Sequence, residues 1–185
     1  MHTADMISCM SLEGLNGNVS PLRDGAQRQR PYPRQIETAA ALRSYLEGSY
    51  LYEPSEGRPL QDPLSFRCVS QVHGAVRTAM DYARENLEIH LNASDDNPCL
   101  LLEERDITSC GNFDPLVWVL GMQNLSVALS HVSKMSCLRS LKLAMPGFTG
   151  LTRHLTPNDD TIAFSTIQKT YASMDAEIRL LANPV

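Results

Sequence analysis

Residues 116–143 read LVWVLGMQNLSVALSHVSKMSCLRSLKL, and this run decides the class of fold. Apolar residues occupy most faces of the helix that it predicts, and only small or weakly polar residues interrupt them. At about 1.5 Å per residue, such a helix would be roughly 40 Å long. Because its apolar surface must be covered, the run predicts a bundle of helices around it, supplied by this chain, by further segments or by other copies.

Four further stretches carry helical patterns. Apolar positions recur at three- and four-residue steps within residues 3–15, 35–50 and 69–90. A last helix is predicted from Thr156 to about Ala182, because the proline and acidic residues at its start suit a helix N-terminus. The chain is therefore expected to be all-α, as a single helical segment over residues 1–185.

Two stretches are expected to lack helices. Residues 18–34 are mostly polar and contain several prolines. Because proline fixes φ and removes a backbone donor, we expect an extended connector there. Residues 99–103 and 106–109 are compatible with one short pair of strands.

Composition limits the classes of partner. The chain is 43% apolar and 20% charged with a net charge of −5, so it has no basic excess for nucleic acid or an anionic membrane. The most apolar window, residues 116–129, is too short for a bilayer span, which needs roughly 20 apolar residues. Five cysteines without a Cys-x-x-Cys pair, and no signal peptide, predict reduced thiols in the cytoplasm. No metal site is expected, since the histidines and acidic residues lack the spacing of metal ligands.

Three polar motifs interrupt the helical patterns and carry the strongest functional signal. They are Gln61-Asp62-Pro63-Leu64-Ser65-Phe66-Arg67-Cys68, Asn92-Ala93-Ser94-Asp95-Asp96-Asn97-Pro98 and Ser109-Cys110-Gly111-Asn112-Phe113. In this order they resemble the central part of the aromatic amino acid ammonia-lyases, the family of the histidine and phenylalanine ammonia-lyases. The resemblance continues in residues 30–35 (RPYPRQ), 155–159 (LTPND) and 180–185 (LLANPV). It implies a long-helix bundle like the fumarase/aspartase core of these enzymes.

The resemblance also implies a chemistry, the elimination of ammonia from an aromatic amino acid. In the family the electrophile is a methylidene-imidazolone group built from an internal Ala-Ser-Gly tripeptide. This chain instead has Ala93-Ser94-Asp95 and Ala172-Ser173-Met174, so the group is expected only in the complete enzyme. Family members are longer, with the electrophile and a base-bearing tyrosine loop upstream. We therefore expect a central fragment, truncated at both ends, that has no catalytic residue of its own and is inactive in isolation.

The first motif is expected to bind the substrate carboxylate. The resemblance assigns that role to Arg67, and a guanidinium presents two parallel donors to a carboxylate, whereas lysine offers a point charge. Gln61 matches a site-lining amide of the family. The alternatives are that Arg67 pairs with a surface or interface acid and that Gln61 bonds to backbone. The surrounding motif favours the substrate role for both.

Other positions of the motifs either match the family or depart from it. Asn97 and Phe113 match residues that surround the electrophile, although Asn97 also suits a turn before proline. Leu64 stands where the family usually has tyrosine, so it could line the substrate site but cannot donate a hydrogen bond. Asp114 stands where histidine is common. Asn112 could cap the long helix that follows.

These features together predict the core of an ammonia-lyase acting on L-histidine or a related aromatic amino acid. Like its relatives, the complete enzyme is expected to be a homo-oligomer, here joined through the long helices, whose sites use residues from several chains. One alternative is an aminomutase of the same family, which returns the ammonia to the β-carbon. The other is a non-catalytic helical paralogue that self-associates; the missing tripeptide and Leu64 favour it.

Overall fold

The computed structural model describes residues 1–158 and 160–183 and confirms the all-α class. Its α-helices are α1 (His2–Leu15), α2 (Asp24–Arg28), α3 (Pro33–Tyr45), α4 (Leu64–Arg67), α5 (Val69–Leu91), α6 (Leu116–Leu143), α7 (Pro146–Thr149) and α8 (Ile167–Leu181). The predicted strand pair is confirmed as an antiparallel hairpin of β1 (Cys99–Leu101) and β2 (Asp106–Thr108). The hairpin lies in the connection between α5 and α6, the two longest helices.

Helices α5 and α6 run antiparallel along each other. Trp118 at the start of α6 contacts His90 at the end of α5, and Gly121 packs against Ala83 one turn further on. At the other end, Arg139 of α6 reaches Ser65 in α4, directly before α5. Helix α3 packs on α5, and α8 packs on α6. The central pair therefore separates two ends of the molecule, and each end carries one group of motif residues.

The core lies at the end where α1, α3 and α4 meet the start of α5. Its buried side chains are Cys9, Leu12, Leu22, Leu42, Leu46, Leu51, Phe66, Val69 and Met135. Phe66 belongs to the first motif and is 1% exposed. The motif is therefore anchored in the core by its own phenylalanine, while Gln61 remains exposed and Arg67 half-buried.

Two predictions about the connecting segments are wrong. Helix α8 begins at Ile167 and not near Thr156, because Ala163 has a positive φ angle that interrupts a right-handed helix. Residues 18–34 contain a 3₁₀ turn at Ser20–Leu22 and helix α2, so they are not extended. Parts of the two downstream motifs, namely Asp159 and residues 184–185, lie outside the described residues.

Helix α6 has the predicted bounds, and it is long and apolar enough, by length and composition, to cross a membrane. The mean hydropathy of its most apolar window is 1.2, and 11% of that window is buried within this chain. The window of residues 116–129, on which the prediction of no membrane span was based, therefore understates the length of the apolar run. Central helices of soluble bundles have the same length and composition, so this property alone does not place α6 in a bilayer.

Gly74 in α5 lies against the backbone of α3. A Cβ at this position would lie 2.6 Å from Gln35 Cα and 2.7 Å from Gln35 N. Gly74→Ala is therefore expected to lower the free energy of unfolding by roughly 1–3 kcal/mol, because backbone atoms must shift to make room. Gly14→Ala is the matched control: nothing lies within 4 Å of its added Cβ. In α1 it should raise stability by up to about 1 kcal/mol. Urea unfolding measures both changes. Equal free energies of unfolding for Gly74→Ala and the unchanged chain would contradict the close contact between α5 and α3.

Candidate functional site

The loop that carries the first motif is fixed by Asp62. This carboxylate is 3% exposed, and its Oδ2 accepts a hydrogen bond from the backbone N–H of Asn18 at 2.6 Å. Burial raises the pKa of Asp62, an effect that the Asn18 hydrogen bond and the charges of Arg58 and Arg67 partly oppose. Gly17 permits this contact, since a Cβ there would lie 3.1 Å from the same oxygen. Asp62 thus joins the motif to the segment after α1.

The short helix α4 is fixed from the other side by Arg139. This arginine is 2% exposed and donates from Nη1 to the carbonyl oxygen of Ser65 at 3.0 Å, and from Nη2 to Ser136 Oγ at 3.2 Å. Burial lowers the pKa of Arg139 to about 10. Arg139 was not among the predicted site residues, although an arginine within the apolar run of α6 is a usable signal. Its effect is to hold the helix that bears Arg67.

Arg67 and Gln61 are brought together. Arg67 Nη1 donates a hydrogen bond to Gln61 Oε1 at 2.6 Å. Gln61 is exposed and Arg67 is half-buried. No described carboxylate forms an ion pair with Arg67, so an acidic partner within the described chain does not explain this arginine. Its other donors therefore remain available to an anion.

Leu64 shares the turn with Arg67. The two residues are three positions apart in α4, which puts them on neighbouring parts of the helix surface. Leu64 is 62% exposed. An apolar, exposed side chain thus stands beside the guanidinium at the position where a hydroxyl is usual in the resembled family.

The second and third motifs lie on either side of the β1–β2 hairpin and are joined by hydrogen bonds. Asn97 Oδ1 accepts a hydrogen bond from the backbone N–H of Cys110 at 3.0 Å, and Asn112 Nδ2 donates to the Ser94 carbonyl at 3.5 Å. Asn97 is therefore more than a turn residue before proline. Phe113 is 60% exposed beside these contacts.

Asp114 contacts the first residue of α6. The N-cap position is Pro115, which has no side-chain cap, so Asn112 does not cap this helix. Asp114 Oδ1 accepts a hydrogen bond from the backbone N–H of Leu116 at 2.9 Å. The residue that departs from the family pattern therefore binds one of the free N–H groups at the start of the long helix.

The predicted site residues do not meet within one chain. Gln61, Leu64 and Arg67 precede α5, whereas Asn97 and Phe113 follow it. The 23 residues of α5 span roughly 33 Å at about 1.5 Å per residue. The two groups therefore lie at opposite ends of the α5–α6 pair, too far apart to contact one small substrate together.

A buried ionic cluster lies behind the first group and was not anticipated from the sequence. The carboxylate of Asp5 bonds to His73 Nδ1 at 2.7 Å and to Arg77 Nη2 at 2.5 Å, and both Asp5 and His73 have side chains with 0% exposure. Arg77 also donates to Thr38 Oγ1 at 3.0 Å. The cluster thus joins α1, α3 and α5. His73 Nε2 is buried and has no hydrogen-bond partner among the described residues.

Within residues 1–158 and 160–183, no group of three or more His, Cys, Asp or Glu side chains could hold a metal ion. The five cysteines are free thiols, Cys9 and Cys137 being buried. Burial raises the pKa of Cys9 to about 12, so that thiol is poorly suited to act as a nucleophile.

Comparison with known proteins agrees with the motifs. A family model described as aromatic amino acid lyase matches residues 1–185. Histidine ammonia-lyase of Anaeromyxobacter dehalogenans (strain 2CP-C) is 37% identical over 185 residues, covering 98% of this chain and 36% of that protein.

Two solved structures extend the comparison. The ergothioneine-degrading enzyme ergothionase from Treponema denticola, in complex with desmethyl-ergothioneine sulfonic acid, is 48% identical, with a TM-score of 0.94 over 99% of this chain and 37% of that one. Histidine ammonia-lyase from Trypanosoma cruzi is 26% identical, with a TM-score of 0.87 over 99% of this chain and 34% of that one. The chain thus spans little more than a third of the length of its relatives.

Proposed function

Because the chain belongs to the aromatic amino acid lyase family, we propose that it supplies the carboxylate-binding wall and part of the electrophile pocket of a carbon–nitrogen lyase. The substrate would be an aromatic amino acid or a close derivative. The observation that carries the proposal is the arrangement of Arg67 on a loop anchored by Asp62 and a helix anchored by Arg139, with no acidic partner among the described residues.

Arg67 and Gln61 would act on the substrate as a pair. Gln61 Oε1 accepts one guanidinium donor and would so fix the plane of the group, while the remaining donors would bind the substrate carboxylate. Gln61 keeps its amide nitrogen as a second, uncharged donor. A substrate carboxylate held in this way would place the β-carbon at a fixed distance from the wall, which is the positioning that an elimination needs.

The complete site would be composite. The distance along α5 separates Arg67 from Phe113 within a chain, so a second copy would bring its Phe113 to the Arg67 of the first. Helix α6 exposes apolar side chains that such a copy could cover, namely Leu116, Val117, Leu120, Met122, Leu129 and Leu138. Apolar surface of this kind favours association of long helices. Light scattering of the chain should therefore show an oligomer.

The residues at the hairpin fit a wall for the methylidene-imidazolone group. Asn97 is held by its oxygen, which leaves its amide nitrogen to donate, and the Phe113 ring is exposed to pack against a planar group. When bound, the group supplies an electrophilic carbon that activates the amine for departure. Asn97 would orient the group and Phe113 would exclude water from one face.

Leu64 restricts what the chain can contribute to proton transfer. A leucine side chain neither donates nor accepts a proton, so the base that removes the β-proton must come from another part of the enzyme. Leu64 would instead form an apolar contact beside the substrate carboxylate. The chain's own contribution is therefore binding and orientation.

A second candidate substrate is ergothioneine, which carries a trimethylammonium group in place of the amine of histidine. Two observations favour it: the identity of 48% to the Treponema denticola enzyme, against 37% to a histidine ammonia-lyase, and the apolar Leu64, which suits methyl groups. Incubation of the complete enzyme with L-histidine, L-phenylalanine and ergothioneine, with assay of ammonia and trimethylamine, separates the candidates. An aminomutase would yield a β-amino acid, and a non-catalytic paralogue would consume none of the three.

The 185-residue chain alone is expected to form neither urocanate from L-histidine nor cinnamate from L-phenylalanine. It has no Ala-Ser-Gly tripeptide, and the base-bearing tyrosine loop of the resembled family is not among its motifs, so neither the electrophile nor the base is expected in this polypeptide. Ultraviolet absorbance of the products measures the rate. Product formation that scales with the concentration of purified chain would contradict this prediction.

Other features of the complete enzyme are proposed on the same basis. The five free thiols suit a reducing compartment such as the cytoplasm. The net charge of −5 does not favour nucleic acid as a partner. Other copies of the chain would bury the apolar surface of α6, so a membrane is not proposed as a partner.

A further inference from the structure

A cavity of about 390 Å³ lies between the first half of α5, the middle of α6 and the segment that leads into α3. Its walls are one face of α5 from Gln71 to Ala79, one face of α6 from Asn124 to His131, and the segment from Arg30 to Gln35. None of the residues proposed for the lyase site lines it. The lyase chemistry therefore does not account for this cavity.

Small apolar side chains form the floor of the cavity. Ala75 and Ala79 are one turn apart on α5, and Val127 and Ala128 face them from α6. Because these side chains are short, the two long helices leave a space between them. The floor suits the hydrocarbon part of a small ligand.

Arg30 supplies the only permanent charge of the cavity. Its guanidinium carbon lies 4.8 Å from the centroid of the Tyr32 ring. Such stacking uses the flat face of the guanidinium and leaves the N–H donors at its edge free. No ion pair joins Arg30 to a carboxylate of residues 1–158 or 160–183. The group therefore retains its capacity to bind an anion.

Further unused donors come from both long helices. Gln71 Oε1 accepts a hydrogen bond from Ser70 Oγ at 3.1 Å, which leaves the Gln71 amide nitrogen to donate. The side chains of Tyr32, Asn124 and His131 form no hydrogen bond within the described part of the chain, and each carries an N–H or O–H donor. Donors thus reach the cavity from three separate elements.

Two other polar side chains of the cavity use their donors elsewhere. Gln35 Nε2 donates to Gln27 Oε1 at 2.8 Å, and Thr78 Oγ1 donates to the Gly74 carbonyl at 3.1 Å. No aspartate or glutamate is among the residues that line the cavity. A metal ion or an organic cation would find no negative charge there, whereas an anion would find Arg30.

We propose that this cavity binds a small organic phosphate, with Arg30 as the counter-ion of the phosphate group and the alanine-lined floor as the contact for the hydrocarbon part. A phosphate group carries about two negative charges and has three acceptor oxygens that point in different directions. These oxygens suit donors from three elements better than the two coplanar oxygens of a carboxylate do. The proposal rests on this cavity alone and does not depend on the lyase activity.

Isothermal titration calorimetry of the chain with phenyl phosphate, at constant ionic strength and one protein concentration, tests the proposal. We expect saturable binding at one site per chain. Benzoate has the same ring with a planar, singly charged anion and should bind several-fold more weakly. Phenol, which has no charge, should give no saturable heat. Benzoate binding as tight as that of phenyl phosphate, or no saturable signal with phenyl phosphate, would overturn the proposal.

Variants test the role of the charge. Arg30→Gln removes an exposed charge and should weaken phenyl phosphate binding by roughly tenfold, as expected for one partly exposed charge pair. Arg28→Gln removes an arginine that is 68% exposed and does not line the cavity, so binding should be unchanged. Equal binding by Arg30→Gln and the unchanged chain would contradict the assigned counter-ion. Because the assay needs neither electrophile nor amino acid substrate, its failure would leave the proposed lyase function untouched.

Discussion

Arg67→Ala in the complete enzyme is expected to lower kcat/KM for the amino acid substrate by roughly 10²- to 10³-fold, because two charge-assisted hydrogen bonds to the carboxylate are lost. The carboxylate does not react, so Arg67 should bind it similarly in the ground state and in the transition state. Most of the loss should therefore be a higher KM. Steady-state kinetics with the substrate identified by product assay measure the effect.

The controls for Arg67 distinguish recognition of a carboxylate from general disturbance. Arg67→Lys should recover only part of the loss, since an ammonium cannot form the paired hydrogen bonds. Arg84→Ala removes an arginine that is 68% exposed on α5 and should leave the kinetics unchanged. A kcat/KM for Arg67→Ala within a factor of about two of the unchanged enzyme would exclude carboxylate binding by this residue.

Asp5→Asn is expected to lower the free energy of unfolding of the chain by roughly 3–5 kcal/mol, because it leaves Arg77 and His73 facing a neutral partner in the core. Burial alone would raise the pKa of Asp5, but the hydrogen bonds from His73 and Arg77 outweigh burial and hold that pKa below its ordinary value of 3.8. The ionised carboxylate therefore stabilises the fold fully above pH 3.8, and this contribution is lost as the pH falls through the lower, folded-state pKa.

Urea unfolding of Asp5→Asn across a pH series tests both the size of the change in the free energy of unfolding and the direction of its pH dependence. The gap in stability between the variant and the unchanged chain should be largest near neutral pH and should shrink as the pH falls below 3.8. Asp24→Asn, which removes one partner of the exposed pair with Arg28, should not change stability measurably. A gap for Asp5→Asn that is small at neutral pH, or that widens on acidification, would contradict the role assigned to the cluster.

Local patterns predicted the long helices well and the segments between them poorly. The apolar run of α6 gave the observed bounds, since period and length are properties of adjacent residues. The start of α8 was misplaced because Pro157 looks like a helix start whether or not a helix follows. Leu155 and Ala163 have positive φ angles, and leucine and alanine usually avoid this conformation, so their residue types do not indicate it.

The site shows the same division between local and distant information. Gln61 and Arg67 are six residues apart in one motif, so the sequence predicted that they are neighbours, and the structure adds the hydrogen bond between them. The bond between Asp5 and His73 joins residues 68 positions apart, and no local pattern indicates it. The separation of Arg67 from Phe113 could have been predicted from the sequence, because the long helix α5 lies between them. Its consequence, that one chain cannot complete the proposed site, emerges only when the ends of α5 and α6 are placed in space.

Complementation between two inactive variants of the complete enzyme tests the composite site most directly. Arg67→Ala and Phe113→Ala, each impaired alone, are co-expressed with different affinity tags, and oligomers that contain both chains are purified. If Arg67 and Phe113 act in one site from different copies, between about a quarter and a half of the sites in the purified mixed oligomers combine two intact residues, the half applying to a dimer, and activity should return to about that fraction. Mixed oligomers no more active than either variant alone would show that the two residues do not meet across copies, and would contradict the proposed architecture.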